Sequence, residues 1–172
     1  ALNQQYLGVD FIPEPFDETK EIEWTPVWSL TNQTFKYLPT ALCYYNYPLH
    51  PDHLFGFANS NGNAAGNTLE EAILQGFMEL VERDSISIWW YNRLQRPAVD
   101  LVSFEDPYLL ELQAYYRTKQ REFWVVDLTC DLEIPVFAAV SRRTDGAEEI
   151  IAGYGAHFDA KIAVLRAVTE MN

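Results

Sequence analysis

Cysteine is scarce in these 172 residues: Cys43 and Cys130 are the only two, too few for a disulfide scaffold and without the spacing of a zinc site. A reducing compartment, the cytoplasm, is therefore expected. Basic residues are also few, with 12 Lys and Arg against 25 Asp and Glu and a formal net charge of −13. A field of that sign repels the phosphates of DNA and RNA, so no nucleic-acid partner is expected. A free nucleotide polyphosphate would be repelled too, unless divalent metal and a local Arg or Lys neutralise it where it binds. No run reaches the roughly 20 apolar residues of a membrane span, and residues 1–10 have neither a basic start nor an apolar signal core, so no membrane partner is expected. Internal repeats and low-complexity tracts are lacking. So is any Ser/His/Asp or Cys/His constellation that would supply a protein nucleophile. No Gly-Lys-Ser/Thr follows Gly62 or Gly66, which excludes a Walker A loop.

What is present suits a chain that buries a core: 48% of residues are hydrophobic and 15% aromatic. The length fits roughly one domain. Residues 1–20, with Pro13 and Pro15, suit an extended lead-in. Across residues 21–47, Trp24, Val27, Trp28, Phe35, Tyr37, Leu42 and Tyr44 surround Thr31-Asn32-Gln33 as two strands around a turn. The small, polar residues 59–67 form a loop that feeds a helix, and Thr68-Leu69-Glu70-Glu71 has the form of a capping box. That helix is expected to run from Leu69 to the Trp89-Trp90 region. A connector over 101–107 and a second helix over 108–120 follow. Strands are expected over 123–129, 134–143 and 148–154, the last two joined across Thr144-Asp145-Gly146, and a final helix over 159–172. This order predicts an α+β fold with helices packed on mostly antiparallel sheet.

The capped helix carries the chemistry. At 100° per residue, Gln75, Glu79, Glu82 and Ile86 fall within about 60° of one another, while Ile73, Phe77 and Leu80 lie opposite as the expected core face. Two carboxylates one turn apart repel each other when merely exposed, and a hard divalent cation turns that repulsion into binding. Arg83 can reach a phosphate or pair back to Glu79. An ordinary solvated face with one surface ion pair explains the same spacing. Backbone N–H groups at the loop and helix start favour anions, although Glu70 and Glu71 oppose a phosphate there.

The run Ser60-Asn61-Gly62-Asn63-Ala64-Ala65-Gly66-Asn67-Thr68-Leu69-Glu70-Glu71-Ala72-Ile73, continuing through Glu79-Leu80-Val81-Glu82-Arg83-Asp84 to Trp89-Trp90, resembles the signature of the YcaO family. Further similarity lies in residues 24–39, 153–157 and 166–170. In that family a Ser-x3-Glu-x2-Glu-Arg segment binds ATP through Mg2+, which the resemblance places on Gln75, Glu79, Glu82 and Arg83, with Gln75 departing from the usual Ser. Glu170 resembles part of a second nucleotide- and metal-binding segment. The resemblance thus implies nucleotide binding by Gln75, Glu79, Glu82, Arg83 and Glu170, with Glu79, Glu82 and Glu170 as metal ligands and ATP and Mg2+ as cofactors. It implies a YcaO-type domain, or a piece of one continuing past Asn172. The implied reaction is ATP-dependent cyclodehydration of Cys, Ser or Thr to azolines in a ribosomally made precursor peptide. The implied partners are that precursor and a leader-binding protein or domain, with a homodimer left open. Thioamide formation and a non-catalytic peptide-binding scaffold are the alternatives.

The remaining candidates are expected to be structural. His50 and His53 suit a loop, and His157 a satisfied structural role. Cys43 is expected buried in a strand and Cys130 inert in a turn, while Trp89 and Trp90 are expected to pack in the core.

Overall fold

The computed structural model describes residues 14–48, 55–56 and 58–172, in two compact units, Ala1–Ser60 and Asn61–Asn172. Residues 1–13 of the expected lead-in, and His50 and His53, lie outside the described residues.

The first unit contains the expected hairpin. Strands β1 (Trp24–Ser29) and β2 (Thr34–Pro39) pair antiparallel from Trp24↔Pro39 to Ser29↔Thr34. Trp28 and Phe35 face each other across the ladder with ring centroids 5.1 Å apart, edge to face. The second strand ends at Pro39. The Thr40 N–H bonds the Glu23 carbonyl, and Thr40–Cys43 then winds into a single helical turn. Cys43 is accordingly half-buried in that turn, not buried in a strand.

The second unit begins with α1 (Leu69–Asn92), whose start confirms the capping signal: the Thr68 hydroxyl accepts the Glu71 N–H at 3.2 Å. The Glu71 carboxylate reaches back one residue further than in a capping box, to the Asn67 N–H at 2.8 Å. Arg93, in the left-handed region at φ 52°, ends the helix, with its N–H and that of Leu94 returning to the Trp90 and Trp89 carbonyls. A 3-10 turn (Leu101–Phe104) leads to α2 (Pro107–Thr118), capped by Asp106 with Pro at its first position.

Three strands follow, β3 (Arg121–Asp127), β4 (Val136–Arg143) and β5 (Ile151–Ala156), in antiparallel order β3-β4-β5. The last begins three residues later than the sequence predicts, because Arg143 bonds back to Glu148 and closes a wider loop than Thr144-Asp145-Gly146 alone. Asp159 then caps α3 (Ala160–Met171), accepting the Lys161 and Ile162 N–H groups.

Strand alternation gives the sheet two buried faces. Phe123, Val125, Phe137 and Ala139 meet Leu109 and Tyr116 of α2 and Ala163, Val164, Ala167 and Val168 of α3. Val136, Ala138 and Ala156 meet Val81 of α1 on the other face. The unit is an α+β layer arrangement, as expected, with α1 on one side of the sheet and α2 and α3 on the other. Fully burying each Val or Leu here stabilises the fold by about 1.5–3 kcal/mol.

One expectation about α1 fails. Ile73, Phe77 and Leu80 are 40%, 43% and 50% exposed, while the residues buried are Gly76, Met78, Val81 and Ser85. The helix meets the sheet through Val81, with Ile86 and Trp89 beside it, while Gly76 packs on the Gly62 loop, and Glu82, next to Val81, is thereby brought to the sheet edge. Trp90 is likewise 65% exposed rather than in the core, whereas Trp89 packs beside the α1-facing cluster.

Candidate functional site

Strand β5 is the edge on which the site is assembled. Gly153 and Gly155 face α3, where a Cβ would lie 2.2 Å from the Met171 nitrogen and 2.2 Å from the Ala163 carbonyl oxygen, respectively. Without side chains at these two positions, the helix backbone lies directly on the strand. That approach brings Glu170 of α3 to the outer edge of β5, where its carboxylate accepts the Tyr154 N–H at 2.8 Å. From α1, Glu82 accepts the next outward N–H, that of Ala156. Two unpaired donors of an edge strand thus hold two carboxylates from different helices.

Arg83 joins them. Its guanidinium lies 2.9 Å from Glu82, 3.9 Å from Glu79 and 4.0 Å from Glu170, and 5.9 Å from the centre of the Tyr154 ring. Glu79 is further held by the Gly62 N–H at 3.1 Å. The glycine-rich loop therefore spends that donor on an acid of the helix it precedes. Close packing makes this possible, since a Cβ at Gly76 would sit 2.6 Å from the Gly62 carbonyl oxygen. Gln75 accepts a hydrogen bond from Arg166 of α3 at 3.1 Å, and Arg166 also donates to the Ala156 carbonyl at 3.1 Å. All five residues singled out by the sequence thus belong to one network.

Glu82 is not on a solvated face: its side chain is only 12% exposed. Burial raises its pKa to about 6, with the nearby Glu170 and Glu79 charges adding to the rise and Arg83 and the Ala156 N–H opposing it. Three carboxylates share the single guanidinium of Arg83, which leaves an excess of negative charge at this spot. Hard oxygen donors with unbalanced negative charge are what Mg2+ takes, so this donor set fits the ion by chemistry. Among the described residues, however, no group of three or more His, Cys, Asp or Glu is close enough to hold a metal ion; the acids converge on Arg83. A cleft of about 420 Å3 opens beside them, lined by Glu82, Tyr154, Arg166, Thr169 and Glu170 with Ile162 and Leu165 at its apolar wall.

The YcaO cyclodehydratase family, described as ATP- and Mg2+-binding, matches residues 1–172. The chain belongs to the YcaO family. A heterocyclase solved in complex with substrate and cofactor is 67% identical, with a TM-score of 0.90 over 93% of this chain and 22% of that one. The heterocyclase TruD is 62% identical, with a TM-score of 0.89 over 98% of this chain and 25% of its own. YcaO from Methanopyrus kandleri, solved with AMPPCP and Mg2+, is 29% identical, with a TM-score of 0.74 over 93% of this chain and 42% of its own. The chain thus spans less than half the length of each of these YcaO relatives.

Sequence reasoning missed the roles of Arg166 and Tyr154. Arg166 and Glu170 are four apart on one helix, so a shared face was legible, and the glycines flanking Tyr154 signalled a close helix approach. Which helix would face them was not. His157 has the structural role expected, its Nδ1 accepting the Asp159 N–H at 2.9 Å just ahead of α3. The Cys130 thiol donates to the Leu128 carbonyl at 3.2 Å, in an irregular segment. Among the described residues no helix is long and apolar enough to cross a membrane.

Proposed function

We propose that the protein carrying this chain uses Mg-ATP to activate backbone amides of a ribosomally made precursor peptide, converting Cys, Ser or Thr to azolines. On this reading Gln75, Glu79, Glu82, Arg83 and Glu170 belong to its nucleotide site, and Glu79, Glu82 and Glu170 would hold the metal. In this reaction class the side-chain O–H or S–H adds to the preceding amide carbonyl and loses its proton. The resulting amide oxyanion takes the terminal phosphoryl group of ATP as ADP leaves, and phosphate is then expelled as the amide N–H proton is lost and the ring C=N bond forms. The observation that carries the reading is the meeting of Glu79, Glu82 and Glu170, from two helices, around one arginine at the mouth of a cleft. The high identity to solved heterocyclases supports the choice of reaction.

Magnesium supplies neutralisation of phosphate charge when bound. The chain's own contribution is to place charge. The β5 N–H groups of Tyr154 and Ala156 fix the angle of Glu170 and Glu82, and the Gly62 N–H fixes Glu79. Arg83, placed among these three carboxylates, would supply a planar guanidinium to phosphate oxygens beside the metal. The chain's part in catalysis is thus positioning and electrostatics.

Two measurements on the full-length protein test this. Mg-ATP is expected to raise the melting temperature, and Glu79→Gln or Glu82→Gln to abolish the rise. Incubation with precursor peptide, leader-binding partner and Mg-ATP is expected to lower the precursor mass by one water per ring. An undiminished thermal shift in both variants sinks the site, and a product carrying sulfur in place of oxygen replaces azoline formation with thioamidation.

A further inference from the structure

Two arginines lie near one another at the cleft, Arg166 in its wall and Arg83 paired to Glu82 and Glu170 of that wall, and their surroundings differ. Arg83 is shared by three carboxylates at 2.9, 3.9 and 4.0 Å. Arg166, half-buried on α3, is held instead by two neutral oxygens, the Ala156 carbonyl and the Gln75 amide, each at 3.1 Å. Among the described residues it has no carboxylate within ion-pair distance, in a chain with more than twice as many acids as bases.

Neutral acceptors orient a guanidinium without cancelling its charge. Of the five N–H donors that an arginine carries, the two named bonds occupy one on each terminal nitrogen, and the side chain forms part of the cleft wall beside Glu82 and Glu170. A planar fork with uncompensated charge and donors to spare suits phosphate recognition. Gln75 is long enough to cross from α1 to α3, and its amide oxygen is committed to Arg166. A glutamate in its place would neutralise the arginine.

We propose that Arg166 is a phosphate-contacting residue of the nucleotide site, and that Gln75 is a positioning residue that acts through Arg166 instead of touching the nucleotide. The inference rests on the Mg-ATP reading above and assigns a second cationic contact to it, on the helix opposite Arg83.

Calorimetric titration of the full-length protein with Mg-ATP and, separately, with adenosine tests it. Arg166→Leu is expected to weaken Mg-ATP binding by about 10- to 100-fold, the range for a lost charged hydrogen bond, while adenosine affinity stays within about twofold. Arg166→Lys is expected to recover part of the loss. Gln75→Glu, which supplies a carboxylate to Arg166, is expected to weaken Mg-ATP by about 10-fold without lowering the melting temperature. Wild-type affinity for Mg-ATP in Arg166→Leu, or equal loss of Mg-ATP and adenosine, overturns the proposal. Should Arg166→Leu fail to fold, unchanged Mg-ATP affinity in Gln75→Glu overturns it just as well. A wild-type protein that binds no Mg-ATP would sink the functional reading itself, an outcome distinct from failure at Arg166 alone.

Discussion

Glu82 holds its charge at a cost. Its pKa is raised from 4.5 to about 6, chiefly by burial, so the folded chain keeps a proton that the unfolded chain has already released. The stability contributed by protonated Glu82 is full below pH 4.5 and is lost as pH rises through about 6. Glu82→Gln, which cannot ionise, is therefore expected to stabilise the ligand-free protein above that range by at most about 2 kcal/mol and to be nearly neutral below it. Urea unfolding at about pH 4 and about pH 8 checks this, because only the second should separate variant from wild type. Greater stability combined with loss of the Mg-ATP response is the expected signature of a residue kept for binding. Trp90, by contrast, is 65% exposed, and Trp90→Ala is expected to change stability by less than about 0.5 kcal/mol.

At the scale of elements, the seating of α3 on β5 is the decisive contact. An added methyl at Gly153 would meet the Met171 nitrogen at 2.2 Å, the Ala167 carbonyl oxygen at 2.4 Å and the Glu170 carbonyl carbon at 2.7 Å, all of them backbone that cannot rotate away. Gly153→Ala is expected to cost about 3 kcal/mol or more in thermal or urea unfolding, at the upper end for overpacking. It is also expected to abolish the Mg-ATP shift by lifting Glu170 from the Tyr154 N–H. The start of α1 is a milder case: Thr68→Ala is expected to cost about 1 kcal/mol, the usual worth of an N-cap. These elements were legible in the sequence because caps and breakers are local: Thr68, Asp106 and Asp159 each sit immediately before a helix. The buried stripe of α1 was not. Ile73, Phe77 and Leu80 are as apolar as the residues that do face the sheet, and periodicity alone cannot choose between adjacent stripes.

For the molecule as a whole, the formal charge of −13 is the dominant long-range term. Self-repulsion of that size destabilises a compact chain and is screened by salt, so raising ionic strength from about 0.01 to about 0.15 M is expected to raise the melting temperature. A flat or falling dependence in a thermal series would mean that local pairing, such as that around Arg83, outweighs the net field. The same charge explains why the proposed nucleotide site needs cations, from the metal, from Arg166 in the cleft wall and from Arg83 beside it.

The sequence by itself determined the α+β class, the antiparallel pairing, the helix starts and the identity of the acidic residues, because each depends on signals a few residues apart. The spacing of Glu79, Glu82 and Arg83 on one helix belongs to this class, and so does the family resemblance built on it. Only the tertiary structure decided that the edge strand's N–H groups would hold Glu170 and Glu82, that Arg166 would cross to Gln75, and that Glu82 would be buried with a raised pKa. Those facts depend on contacts between helices some ninety positions apart, formed where two glycines let one helix lie on the edge strand that the other one borders.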